Sequence, residues 1–140
     1  MIRSKSALFL MEFIIIIAFF SMATAVCMQI FAHASRLSAH SHNLKMAVVH
    51  AQNAAESFKS SGADTEEMAA ILGATTSEGY VLYLHFDEEW GHTTAQDPHF
   101  AVQILVDTSS TLASAQISIT DTWMGQELYS LKVLRYLGVE

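Results

Sequence analysis

A chain of 140 residues, 51% of them hydrophobic and 15% charged, with one Cys and one Pro, has the length of one small domain. Its apolar residues are gathered: 13–32 contains no Asp, Glu, Lys or Arg, whereas 60–140 holds 12 of the 14 acids and only two bases, Lys132 and Arg135, a formal charge of 2 − 12 = −10. Such an acidic segment is repelled by phosphate backbones, and the lone Cys27 allows neither an internal disulfide nor a Cys-rich zinc site.

The first element follows a short basic start, Arg3 and Lys5. Twenty uncharged residues rise about 30 Å as a helix, the thickness of a bilayer's hydrocarbon core. The ten Phe, Ile and Val residues of 13–32 favour insertion by roughly 3 to 6 kcal/mol together, against a cost of about 3 for an acid at the bilayer centre. Glu12 stands at the edge of the run, where that cost is smaller. A secretory signal cut after Ala25 is one alternative, with Ala23-Thr24-Ala25 as its small-residue site; a buried core helix is the other, but a head of about 80 residues could not wrap so long an apolar cylinder on every side. Arg36 and Lys45 after the run match Arg3 and Lys5 before it, so the positive-inside count is a tie. Size then favours a cytoplasmic tail and an extracytoplasmic head.

Beyond the run, Ile30, Ala34, Leu37, Leu44, Val48, Ala51, Ala55 and Phe58 recur at steps of three, four or seven, one amphipathic stripe. No Pro or Gly interrupts 8–61, so the expectation is one helix of about 50 residues, roughly 75 Å long, ended by Gly62. Asp64 with Glu67 three positions on, then Met68, Ala69, Ile71 and Leu72 before Gly73, predicts a helix of about two turns. The period then changes to two. Tyr80, Leu82, Leu84 and Phe86 share one parity, as do Phe100, Val102, Ile104 and Val106, then Ala115, Ile117 and Ile119, then Tyr129, Leu131, Val133 and Leu137. Polar turns at 87–98, 107–110 and 121–126 separate these four strands, and their shortness favours an antiparallel meander. The expected fold is α+β: a leader over 1–7, a long N-terminal helix over 8–61 with its transmembrane part at about 13–32, and a head over 62–140. The C-terminal half of that helix covers the apolar face of a four-stranded antiparallel sheet.

The side chains that suggest chemistry are few. There is no phosphate-binding Gly-rich loop, GxSxG, HExxH or EF-hand spacing, so the expectation is no enzyme, no cofactor and no metal. Among the seven His, His33 and His40 are a heptad apart and His40 and His42 diverge, not the three- or four-residue spacing of a chelating pair. Asp87, Glu88, Glu89, Asp97 and His99 could gather around Ca²⁺ but match no established calcium loop, and an acidic hairpin turn is the commoner use. Trp90 and Trp123 stand at strand ends, where aromatic lids on the core are expected.

The run from Ser4 to Ile17, with Ala7, Leu8 and Glu12, resembles the N-terminus of type IV pilins and pseudopilins. There a basic leader ends in a small residue, cleavage follows, and a Glu stands at the fifth mature position of an apolar helix. Ala7 occupies the small-residue place, where Gly is usual, Leu8 the new N-terminus and Glu12 the Glu. The resemblance covers about the first 30 residues by motif and the remainder by architecture. It implies processing at Ala7-Leu8 by a prepilin peptidase, N-methylation, and assembly with other pilin-like subunits through the stem into a type IV pilus-like or type II secretion-like filament. Glu12 would pair with the freed amine of Leu8. The alternative is a single-pass anchored extracytoplasmic binding protein that does not polymerise, its Glu12 simply reaching water at the interface.

Overall fold

The computed structural model describes residues 2–77, 79–109 and 111–138. Met1 of the expected leader, Ser110 of the second expected turn, and Glu78, Val139 and Glu140 of the expected head lie outside the described residues. The chain divides into two units, Met1–Ser41 and His42–Glu140, and the division falls within helix α1, Ile2–Ser60.

In the first unit α1 begins at Ile2, so residues 2–7 of the expected leader are helical. Its large apolar side chains, from Leu8 to Phe31, are all exposed, with no cover from within the unit. Its hydroxyls are satisfied locally: Ser21 Oγ donates to the Ile17 carbonyl and Thr24 Oγ1 to the Phe20 carbonyl, each at 2.8 Å. Back-bonding of this kind lets Ser and Thr sit in an apolar helix without an unpaired donor.

In the second unit α1 ends in a Schellman turn. Ala63 N–H donates to the Phe58 carbonyl at 3.2 Å, with Gly62 left-handed between them at φ +70°. The second helix, α2 (Thr65–Leu72), is capped by Asp64, whose carboxylate accepts from Glu66 N–H at 2.9 Å and Glu67 N–H at 3.3 Å. The reciprocal half of a capping box is not made, because Asp64 N–H is taken by the Ser61 carbonyl.

Five strands follow, β1 (Thr75–Ser77), β2 (Val81–Phe86), β3 (Phe100–Asp107), β4 (Leu112–Asp121) and β5 (Gln126–Tyr136). They form one antiparallel meander in chain order. The expected four strands are present as β2 to β5. The correction is the fifth, β1, whose three residues are too few to display an alternating pattern. Two further expectations shift: Tyr80 lies in the turn before β2, Leu137 lies beyond the end of β5, and both side chains are exposed.

Cross-strand rows build the core. Leu82, Ile104 and Ile117 stand side by side and fully buried, with Leu131 completing their row. Leu84, Val102 and Ile119 form the next, completed by Tyr129. These rows pack with Ala47, Ala51, Ala54, Ala55 and Phe58 of α1 in one cluster. The buried face is thus rotated from the expected stripe: Ala47 and Ala54 join it, Leu44 is exposed, and Ile30, Ala34 and Leu37 belong to the first unit. Four alanines let the helix backbone approach the sheet, and Phe58 supplies the one large side chain. Phe58→Ala should cost about 3 to 5 kcal/mol, as truncation of a buried Phe does, and Ala51→Leu should cost about 1 to 3 kcal/mol by overpacking. Urea unfolding of the full chain in micelles, followed by near-ultraviolet circular dichroism, measures both; unshifted midpoints would contradict the packing.

Candidate functional site

The residues singled out in the first unit lie on consecutive turns of α1. Ala7, Leu8 and Glu12 are all helical and exposed. Leu8 and Glu12 are four apart, hence one turn apart on the same face. Among the described residues Glu12 forms no ion pair within the chain. Cys27 is free and exposed in the same unit.

The second unit holds a cleft of about 540 Å³ between α1, α2 and β2, within the size range of small-ligand sites. One wall is polar and follows α1: His50, Asn53, Ser57 and Ser60, spaced by three and four residues and so on one face. The facing wall is apolar, made by Ile71, Leu72, Leu84 and Phe86. At the cleft's end His50 lies 4.3 Å from the Phe86 ring and stacks on Trp90 at 5.3 Å. His50 Nε2 is buried without a hydrogen-bond partner. Burial first, and then His92 nearby, lower the His50 pKa from its ordinary value, favouring the neutral imidazole. Among the described residues no Ser hydroxyl is hydrogen-bonded to either imidazole, and Ser60 Oγ donates instead to the Ser57 carbonyl at 3.1 Å. The cleft sets hydrogen-bonding groups, with the Glu56 carboxylate and His92 also in its lining, opposite an apolar wall, a surface suited to an amphipathic ligand. Sequence reasoning missed it because its walls come from three separate elements.

The acidic turn spends its first carboxylate on itself. Asp87 Oδ1 accepts from Glu89 N–H at 2.9 Å and Gly91 N–H at 2.8 Å. A Cβ on residue 91 would stand 2.8 Å from that carboxylate, so a larger residue there would push the Asp87 side chain aside. Trp90, left-handed at φ +64°, is held there by stacking on Phe100 at 4.1 Å and by donating from Nε1 to Asn43 Oδ1 at 3.3 Å. Trp90 is buried, as expected of a lid. Trp123 is not: it is 69% exposed, which corrects the expectation that both indoles close the core. The reason is positional, since β4 ends at Asp121 and Trp123 sits in the turn that follows. Among the described residues no three His, Cys, Asp or Glu side chains come together as a metal group, and His33, His40 and His42 are all exposed.

His50 gives the head a pH dependence. Its pKa is lowered in the folded state, so below the ordinary value of about 6.5 the unfolded chain binds the proton more readily, and stability is lost as pH falls through that value towards the folded pKa. Thermal melts at pH 7.5 and 5 should show a larger drop in midpoint for the wild type than for His50→Phe, which keeps the ring stack and removes the titration. Equal drops would exclude His50 as the cause.

Comparison with models of known families, with curated proteins and with solved structures returns no match for this chain.

Proposed function

We propose that this chain is a structural subunit, a minor pilin or pseudopilin, of a type IV pilus-like or type II secretion-like filament. It is held in the membrane by α1 before assembly, with its N-terminus cytoplasmic and its head extracytoplasmic. One observation carries the reading. A single helix, α1, carries the Ala7-Leu8 and Glu12 pattern near its start, exposes its large apolar side chains from Leu8 to Leu37, and supplies in its second unit the helix that covers an antiparallel meander. A bare apolar helix needs lipid or other helices as its surroundings, and a pilin-like subunit uses both in turn: lipid while waiting, neighbouring stems once assembled. Other pilin-like subunits and a prepilin peptidase are the partners this implies, and no catalytic step is required of the head.

Glu12 acquires a role in this reading. A carboxylate beside an apolar helix calls for a counter-charge. Cleavage at Ala7-Leu8 creates one, the amine of Leu8, a turn away or on a neighbouring stem. The head cleft favours a second reading, a single-pass anchored extracytoplasmic binding protein that does not polymerise.

Two measurements separate these readings. Mass spectrometry of the mature chain should find its N-terminus at Leu8, methylated as the resemblance implies; an N-terminus at Val26 would establish a signal peptide and sink the proposal. Glu12→Gln keeps the size and removes the charge, so membrane amounts should be unchanged or slightly higher. Crosslinking between stems should nevertheless fall, because removing one half of a buried ion pair costs about 3 to 5 kcal/mol. Equal crosslinking in wild type and variant at matched membrane amounts would remove Glu12 from assembly, as the anchored-monomer reading requires.

A further inference from the structure

The turn joining β4 to β5 presents two large apolar side chains to water. Trp123 is 69% and Met124 78% exposed, yet their backbone is fixed. Asp121 is buried at the end of β4, and its Oδ1 accepts from Trp123 N–H at 3.0 Å and Met124 N–H at 2.9 Å. Thr122 N–H and Thr122 Oγ1 both donate to the His99 carbonyl at 2.9 Å, and the Thr122 hydroxyl also lies against the Pro98 carbonyl. The indole stacks on His99 at 4.7 Å, and Gly125 closes the turn at φ +63°. This is an apolar tip held outward by a pre-organised turn.

Its place in the head is defined by a chain of ring contacts. His99 lies 4.6 Å from the Phe100 ring, Phe100 stacks on Trp90, and Trp90 Nε1 donates to Asn43. Asn43 is the second residue of the head unit, so the tip shares the end of the head at which the chain enters from the apolar run. Asn43 follows Ala32, the last residue of that run, by 11 positions, and 11 residues reach at most about 40 Å even when fully extended. With the run in a bilayer, the start of the head is tethered within that reach of the lipid, and a contact the head makes there is intramolecular, aided by effective concentration.

We propose that the tip of Trp123 and Met124 is a membrane-contact site, which docks this end of the head on the water–lipid interface of the bilayer that α1 spans. Indole is the side chain best suited to that layer, with an apolar body and a polar N–H, and Met adds a flexible apolar neighbour. The lipid is zwitterionic. Glu88, Glu89, Asp97 and Glu127, exposed in the two turns at this end and at the start of β5, would be repelled by anionic headgroups. The proposal rests on the anchored part of the function proposed above and not on filament assembly.

The test uses the full chain in phosphatidylcholine vesicles. Trp90 and Trp123 are the only indoles, so the fluorescence lost in Trp123→Phe is the contribution of Trp123 without disturbing Trp90; Trp90→Phe, which isolates Trp123 directly, is a second variant if it folds. Lipid brominated near the headgroup should quench the Trp123 component at least two-fold and acrylamide should reach it poorly, while Trp90 emission is unaffected by the brominated lipid. Anionic phosphatidylglycerol mixed into the vesicles should weaken the quenching. Trp123 fully open to acrylamide and untouched by brominated lipid, in a chain that floats with the vesicles, would overturn the proposal and leave the anchor standing, with a protein partner as the remaining occupant of the tip. A chain that fails to float would overturn anchor and docking together.

Discussion

The constraint on which everything else depends is that α1 carries more apolar surface than the chain can cover. Phe13, Phe19, Phe20, Phe31 and the Ile14 to Ile17 run are exposed together on one helix. A contiguous apolar surface of that extent is not tolerated in water. The burial that folds the head is therefore separate from the burial this helix needs, and in the proposed function lipid or other helices supply the second kind. The hydroxyls of Ser21 and Thr24, turned back onto carbonyls four residues earlier, fit a helix that has no water to bond with.

Within the head the same helix plays a different part. Ala47, Ala51, Ala54 and Ala55 form a low surface on which the large side chains of β2, β3 and β4 rest, so the sheet supplies bulk and the helix supplies proximity. Helix and sheet diverge enough at α2 to leave the cleft lined by His50 and Leu84. The aromatic group around Phe86, Trp90 and Phe100 packs at the end of that cleft and anchors the turn before β3. Asp121 belongs to the same row as Phe86 and Phe100, and there a polar group is buried because two backbone N–H donors of the following turn need it.

Much of this was legible in the residues, for identifiable reasons. Alternation over Phe100 to Val106 and Ala115 to Ile119 is period two with one wet face, and both strands appear where that period places them. Asp64 and Gly73 are cap residues with local causes, and local causes survive tertiary context. What was not legible depends on distance in sequence. The cleft joins residues of 50–60 to residues of 71–86, and no spacing announces it. Residues of β1 give no pattern because three of them cannot alternate twice. Trp123 looked like a lid because strand ends usually are lids, and its outward direction is decided by Asp121 gripping the turn. The helix stripe was found with its face slightly misplaced, since Ala47 is buried and Leu44 exposed, a choice between faces that depends on where the sheet lies and that a periodicity cannot express.

The most direct test of the central claim, that the apolar half of α1 lies in lipid, uses the one Cys of the chain, Cys27, which stands inside the apolar run. In intact membranes a membrane-impermeant maleimide should fail to label Cys27, and the same reagent should label it fully once the membrane is dissolved in denaturant. Labelling in intact membranes at the denatured rate would contradict the account, placing Cys27 in water, as it would be if the chain were cut after Ala25 and released.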